Sequence, residues 1–134
     1  MADNAFRCRI ITPSESAFDG EATYASVPAW DGQMGLLAGS APRLAKLGIG
    51  GLRLDLPEGG SRWFLIEGGF LQVSGGLVTL LTERAVEAEQ LSEEEASNLL
   101  EEANARAVAG GEDREMVEAD QQRARTMATL AGRS

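Results

Sequence analysis

Leu77-Val78-Thr79-Leu80-Leu81-Thr82-Glu83 is followed, a short way on, by Ser92-Glu93-Glu94-Glu95-Ala96-Ser97-Asn98-Leu99-Leu100. The first run is short, apolar and rich in strand-forming residues. The second is a helix start. Ser92 can accept a hydrogen bond from the Glu95 amide while the Glu95 side chain reaches back, the capping-box arrangement. Its acids also suit the positive end of a helix dipole. The hydrophobic period therefore passes from two to 3.6 along this stretch, and a boundary is expected near Glu83.

Upstream of that boundary the chain reads as strands. Phe6, Cys8 and Ile10 alternate with Arg7 and Arg9. Glu21 to Val27 alternates similarly, and Leu52, Leu54 and Leu56 oppose Arg53 and Asp55. Trp63-Phe64-Leu65-Ile66, Phe70-Leu71-Gln72-Val73 and Leu77 to Leu81 are further short strands. Turn signals separate them: Pro13-Ser14, Asp19-Gly20, Asp31-Gly32, Pro57-Glu58-Gly59-Gly60 and Ser74-Gly75-Gly76. Many short strands at this spacing predict a β-sandwich or barrel.

Downstream, Ala96, Leu99, Leu100, Ala103 and Ala107 form one apolar stripe. Gly110-Gly111 stops that helix, and a second begins near Glu112 or Asp113. Val117, Ala124, Met127, Ala128 and Ala131 can share its inner face. So short a link makes the pair an antiparallel hairpin. Its seam is mostly alanine, and each alanine buries little area, so a weakly cohesive hairpin able to detach is expected. The fold class is mostly β plus α: a β-sandwich over residues 1–84 and a two-helix hairpin over residues 85–134.

Charge supports the same division. The net charge is −9. Residues 1–82 hold eight acids and six bases, for −2, and residues 83–134 hold thirteen and six, for −7. An acidic chain is a poor partner for nucleic acid or for an anionic membrane surface. No apolar run has the length of a bilayer span, and Met1 to Ala5 lacks the features of a signal peptide. The single cysteine, Cys8, permits no internal disulfide and sits in the apolar phase of a strand, where a small buried residue is expected. These features favour a reducing compartment. The absence of histidine removes Ser-His and Cys-His nucleophile systems and His-based zinc hydrolysis.

Local motifs read mostly as structure. Gly48-Ile49-Gly50-Gly51 lacks the third glycine of a dinucleotide fingerprint and the Lys-Ser/Thr of a phosphate loop, so it reads as a turn. Glu93-Glu94-Glu95 points in different directions around a helix and does not form a metal site. Glu101-Glu102 reads as a solvated face. Glu67-Gly68-Gly69-Phe70 marks a bulge or tight corner. Trp30, in Pro28-Ala29-Trp30-Asp31-Gly32, either folds back onto the core or stands out as an anchor for a partner. On these grounds the chain is an acidic interaction protein.

The order and spacing of segments resemble the epsilon subunits of F-type ATP synthases. Phe6 to Pro13 is similar to that family's first strand and Thr-Pro turn. Val27-Pro28-Ala29-Trp30-Asp31-Gly32-Gln33-Met34-Gly35-Leu36-Leu37-Ala38-Gly39-Ser40-Ala41-Pro42 resembles its signature stretch, followed by Leu47 and Gly50. Gly68-Gly69-Phe70-Leu71-Gln72-Val73 resembles its Gly-Gly-Phe-Leu-Glu-Val, and Val78 to Leu81 with Ala85 its closing strand. The resemblance covers about residues 6–131. Ser40 departs from a usual histidine, Ala29 from a common glycine and Gln72 from the usual glutamate.

The resemblance implies a non-catalytic rotor subunit without a cofactor, active in ATP synthesis and hydrogen ion transport. Its sandwich would bind the gamma subunit and sit on the ring of c subunits, peripheral to the cytoplasmic face of a bacterial plasma membrane. It implies that the hairpin can reach the alpha and beta subunits and regulate ATP hydrolysis. Trp30, Asp31 and Ser40 are the expected partner contacts. Some members bind ATP through an Asp-x-x-Arg-Ala pattern plus a later arginine. Here Asp120 and Arg123 match the first half, but Leu130 stands in the later arginine's place, so tight ATP binding is not expected. Two other classes are weighed: a free-standing nucleotide-sensing domain, and a small enzyme using Asp and Glu, for which no convergent carboxylate pair is visible.

Overall fold

The computed structural model describes residues 4–111 and 113–131. Ten strands precede two helices: β1 (Phe6–Ile11), β2 (Ser16–Ala22), β3 (Tyr24–Ala29), β4 (Gly32–Leu37), β5 (Arg43–Lys46), β6 (Ile49–Asp55), β7 (Ser61–Glu67), β8 (Phe70–Ser74), β9 (Leu77–Leu81) and β10 (Ala85–Glu87). A single 3₁₀ turn, Ala88–Gln90, leads to α1 (Glu93–Ala109) and α2 (Arg114–Ala131). The strands form two five-stranded sheets, ordered β2-β1-β9-β8-β5 and β10-β7-β6-β3-β4. The pairing is antiparallel except between β1 and β9.

The alternation read in the sequence is what the two inner faces use. Phe6, Cys8 and Ile10 point inward from the first sheet, as do Leu71, Val73, Val78 and Leu80. Val27, Leu36, Leu52, Leu54, Phe64 and Ile66 meet them from the second. Burial, aided by the charge of Asp19, pushes the Cys8 thiol up to about 12, so no reactive thiolate is available there.

The described chain passes between the sheets five times, and two of these crossings show how the sequence sets them. Glu21 to Val27 reads as one alternating strand, but the structure divides it at Thr23, where the chain leaves the first sheet for the second. The Thr23 amide donates to the Asp55 carbonyl at 2.8 Å and holds that bend. Gly68-Gly69 is the return corner from β7 to β8. Gly69 has φ +101°, and a Cβ there would lie 1.9 Å from the Leu81 carbonyl oxygen. Only glycine fits that corner. Nearby backbone bonds from Leu47 to Gly69, Gly68 to Gly48 and Trp30 to Lys46 tie the two sheets at this end.

The second sheet also buries its outer face. The hairpin lies over β6 and β7, where Leu65, Ala88, Ala96, Met127 and Leu130 form a separate apolar cluster with Ile49, Trp63, Val86, Leu91 and Leu99 around it. The Ser92 hydroxyl accepts from the Glu95 amide at the start of α1, and Gly110, at φ 72°, ends it. Glu112 lies outside the described residues, and the Asp113 carboxylate caps α2 by accepting from the Glu115 amide at 2.8 Å.

Two expectations need correction. The sheet runs to Glu87 through β10, past the boundary set by charge. Ala107 and Ala128 are exposed, whereas Thr126 and Leu130 are buried. Beside the alanine-rich seam, Met127 and Leu130 dock the hairpin on the sheet. Alternation cannot reveal this, since the docking face of α2 is set by where the sheet lies and not by the partner helix.

The main core excludes every hairpin residue. A chain cut after Ala88 therefore keeps a cooperative thermal transition, with stability lower by roughly 2–5 kcal/mol from uncovering Leu65 and its neighbours. Loss of the transition in calorimetry would show the hairpin to be part of one indivisible core.

Candidate partner-contact and hairpin sites

Trp30 and Asp31 form the turn between β3 and β4. The Trp30 ring does not return to the core: it is 69% exposed. Its backbone is fixed all the same, because the Trp30 amide donates to the Lys46 carbonyl and the Gly48 amide to the Pro28 carbonyl. A large aromatic held on a rigid turn and left in water has the character of an anchor. Ser40 stands elsewhere. β4 separates it from Trp30, and six residues of strand span about 20 Å. Its hydroxyl accepts from the Leu37 amide at 3.0 Å and closes the turn after β4. Trp30 and Asp31 are brought together, and Ser40 lies at the opposite end of the sandwich.

Sequence reading missed a second exposed feature. On the outer face of the first sheet, register places Lys46, Phe70, Leu81 and Ile11 in one row and Leu44, Gln72, Thr79 and Arg9 in the next. Phe70 is 53% exposed, Leu81 50% and Leu44 73%. Arg7 and Arg9 bound the face and pair with Asp19. The signal was present in the odd-numbered phase of β9 and the even-numbered phase of β8, whose apolar residues match no inner face.

Asp120 and Arg123 are also brought together, but as part of a charged network. Arg123 Nη1 binds one Asp120 oxygen and Arg106 Nη2 the other. Arg123 Nε donates to Glu67 Oε1 at 2.5 Å, and Arg84 Nη1 to Glu67 Oε2 at 3.1 Å. The hydrogen bond from Arg106, helped by Arg123 and opposed by partial burial, holds the Asp120 carboxyl below its ordinary range. Burial works against the Arg123 charge, but Glu67 and Asp120 more than offset it and raise that group. A depressed carboxylate contributes stability above its unfolded pKa and loses it as pH falls through the folded value. Leu130 is packed against Gly51 and Leu65 and offers nothing to a phosphate. Among the described residues no cluster suited to a metal occurs, and no helix is long and apolar enough to cross a membrane.

The beta-sandwich domain family of ATP synthase delta and epsilon chains matches residues 5–88. The ATP synthase epsilon chain of Rhodopirellula baltica is 39% identical over 99 residues, covering 74% of this chain and 77% of that one. That of a Synechococcus strain is 35% identical over 127 residues, covering 92% and 90%. Among solved structures, a chain of the Euglena gracilis mitochondrial ATP synthase superposes with a TM-score of 0.80 at 23% identity, over 95% of this chain and 80% of that one. The chain belongs to the delta/epsilon family of ATP synthase subunits. Within that family it is an epsilon chain, a non-catalytic subunit.

Arg123 is already committed to two carboxylates, and the acidic hairpin repels polyanions. Calorimetry of the isolated protein with Mg-ATP is therefore expected to show no binding in the low micromolar range. Tight binding that Arg123→Ala abolishes would contradict this.

Proposed function

We propose that the sandwich couples the c ring to the gamma subunit through two separate faces of one rigid body. The observation that carries the reading is the exposure of both an apolar sheet face and a tryptophan turn on a doubly tied sandwich. The face around Phe70, Leu81 and Leu44 is the proposed gamma contact. Exposed apolar surface of this kind marks an interaction site. The turn of Trp30 and Asp31 is the proposed contact with the polar loops of the c ring. Neither contact needs side-chain chemistry. Torque transfer needs stiffness, which a close-packed core supplies, and adhesion at both ends of the load path.

The hairpin is the regulatory part in this reading. It has its own apolar cluster, distinct from the main core, and can meet the alpha and beta subunits if it leaves the sheet. The assembly would hold the chain at the cytoplasmic face of a bacterial plasma membrane, peripheral to the bilayer. Tightening of ATP hydrolysis would then be mechanical, not a consequence of ligand binding.

Two measurements test the contacts. Replacing Trp30 and Asp31 with alanine should lower ATP-driven proton pumping per ATP hydrolysed in reconstituted membranes while leaving the sandwich folded. Unchanged pumping per ATP would remove the c-ring assignment. Phe70→Asp, an exposed site whose change should move stability by about 0.5 kcal/mol or less, should sharply reduce co-purification with gamma. Undiminished recovery of the complex would place gamma on another face.

A further inference from the structure

The outer face of the first sheet carries a charge among its apolar residues. Register places Arg9 across from Thr79 on β9, with Leu77 in the row on one side and Leu81 and Ile11 in the row on the other. Leu77 and Leu81 lie about 13 Å apart along the strand. A partner that covers both apolar rows therefore also covers the row of Arg9. Two guanidinium groups meet one carboxylate here. Asp19 Oδ1 is taken by Arg7, with Nε at 2.9 Å and Nη2 at 2.8 Å. Arg9 Nε stands 3.9 Å from Asp19 Oδ2, outside hydrogen-bond reach. That nitrogen is shut off from solvent and has no hydrogen-bond partner among the described residues. The side chain as a whole still reaches water, at 42% exposed.

On the free face, water solvates the Arg9 guanidinium. A docked partner removes that water, and a cation left without a counter-charge in a closed interface weakens binding strongly. The acids of the face are placed for Arg7: Asp19 bonds it, and Glu21 lies opposite it on β2. Lys46, at the far end of the row of Phe70, adds a third base. Three bases and two acids leave this face positive on a chain whose net charge is −9. We infer that the partner surface presents a carboxylate, ringed by apolar side chains, that pairs with Arg9 when the face closes. This rests on the proposed gamma contact and adds the chemistry of its recognition. Apolar cover supplies the adhesion. Arg9 selects the register, because its planar fork accepts a carboxylate in few orientations.

Binding of the full chain to gamma, in the ATPase complex stripped of this chain, tests it through the sign of one change. Arg9→Met keeps most of the stem and removes the charge. With a carboxylate opposite Arg9, that group is stranded, and the dissociation constant rises about thirtyfold. With Arg9 merely covered, or with its head left in water, the same change leaves binding equal or tighter. Arg9→Lys keeps the charge but not the fork, and should lose less than Arg9→Met. Arg9→Glu should abolish the measurable complex. Arg9 lies on the outer face, so the thermal transition of these variants should stay cooperative. Asp19→Asn leaves Arg9 itself untouched and removes an acid that repels the incoming carboxylate, so it should tighten binding; weaker binding there overturns the inference. Phe70→Asp separates the two levels. Binding weakened by Phe70→Asp but equal or tighter in Arg9→Met keeps the gamma face and overturns the carboxylate. Binding that neither change weakens overturns both.

Discussion

Phe64, Leu65 and Ile66 are consecutive in β7 and all three are inaccessible to solvent. A strand sends successive side chains to opposite faces, so both faces of the second sheet must be covered at this point. Phe64 and Ile66 enter the main core, and Leu65 faces the other way. A two-layer sandwich has nothing to put over Leu65. The helices supply it, through Met127 and Leu130, and Gly51 leaves the space that Leu130 enters: a Cβ at that position would lie 3.1 Å from a Leu130 methyl carbon. The third layer thus follows from a demand made in β7, well before the helices begin in the chain.

That demand explains why the hairpin docks where it does and what its charges do. α2 carries Leu130 over the middle of β6 and β7. Two turns earlier in the helix this sets Arg123 beside Glu67 at the end of β7. The apolar contact supplies most of the attraction, and the ion pair supplies registry, since a guanidinium fork accepts its carboxylates in few orientations. An Asp-x-x-Arg pattern in a hairpin can serve a phosphate or serve the protein's own carboxylate. In this chain the arginine of the pattern bonds Glu67 and Asp120.

The strands of the main core were legible because each buries one face and leaves the other wet: β1, β6, β8 and β9 show clean alternation. β4 and β5 were not. Both are edge strands, and Arg43, Leu44 and Lys46 of β5 are exposed, so its pairing to β8 imposes no pattern on its sequence. β10 is three residues, half-buried throughout, and exists through its pairing to β7. The Trp63 to Ile66 run did carry the sign of double burial, because an uninterrupted apolar strand needs cover on both sides. Trp30 and Asp31 were legible as a turn, and the sequence left open which way the ring pointed. In the structure the backbone amide is tied to Lys46 and the ring stands out in solvent. Ser40 lies apart from them because nearness in the signature stretch hides a full strand of extended chain, β4.

The same tie bears on how such a body could carry load. The bonds at Trp30, Leu47 and Gly68 close the sandwich at the end that bears the exposed tryptophan, and the Gly69 corner stands at that end too. Phe70 and Leu81 lie in the row nearest to it on the outer face of the first sheet. The end tied by these bonds therefore carries both exposed features, while the opposite end has the glycine turns at Gly59-Gly60 and Gly75-Gly76. A force entering at the turn would reach the apolar face through backbone hydrogen bonds and a few residues of strand, without passing through the glycine turns. The hairpin lies on the other sheet, outside that path. Its release would leave the load-bearing route intact, so a single chain can carry a rigid connection and a movable element without either compromising the other.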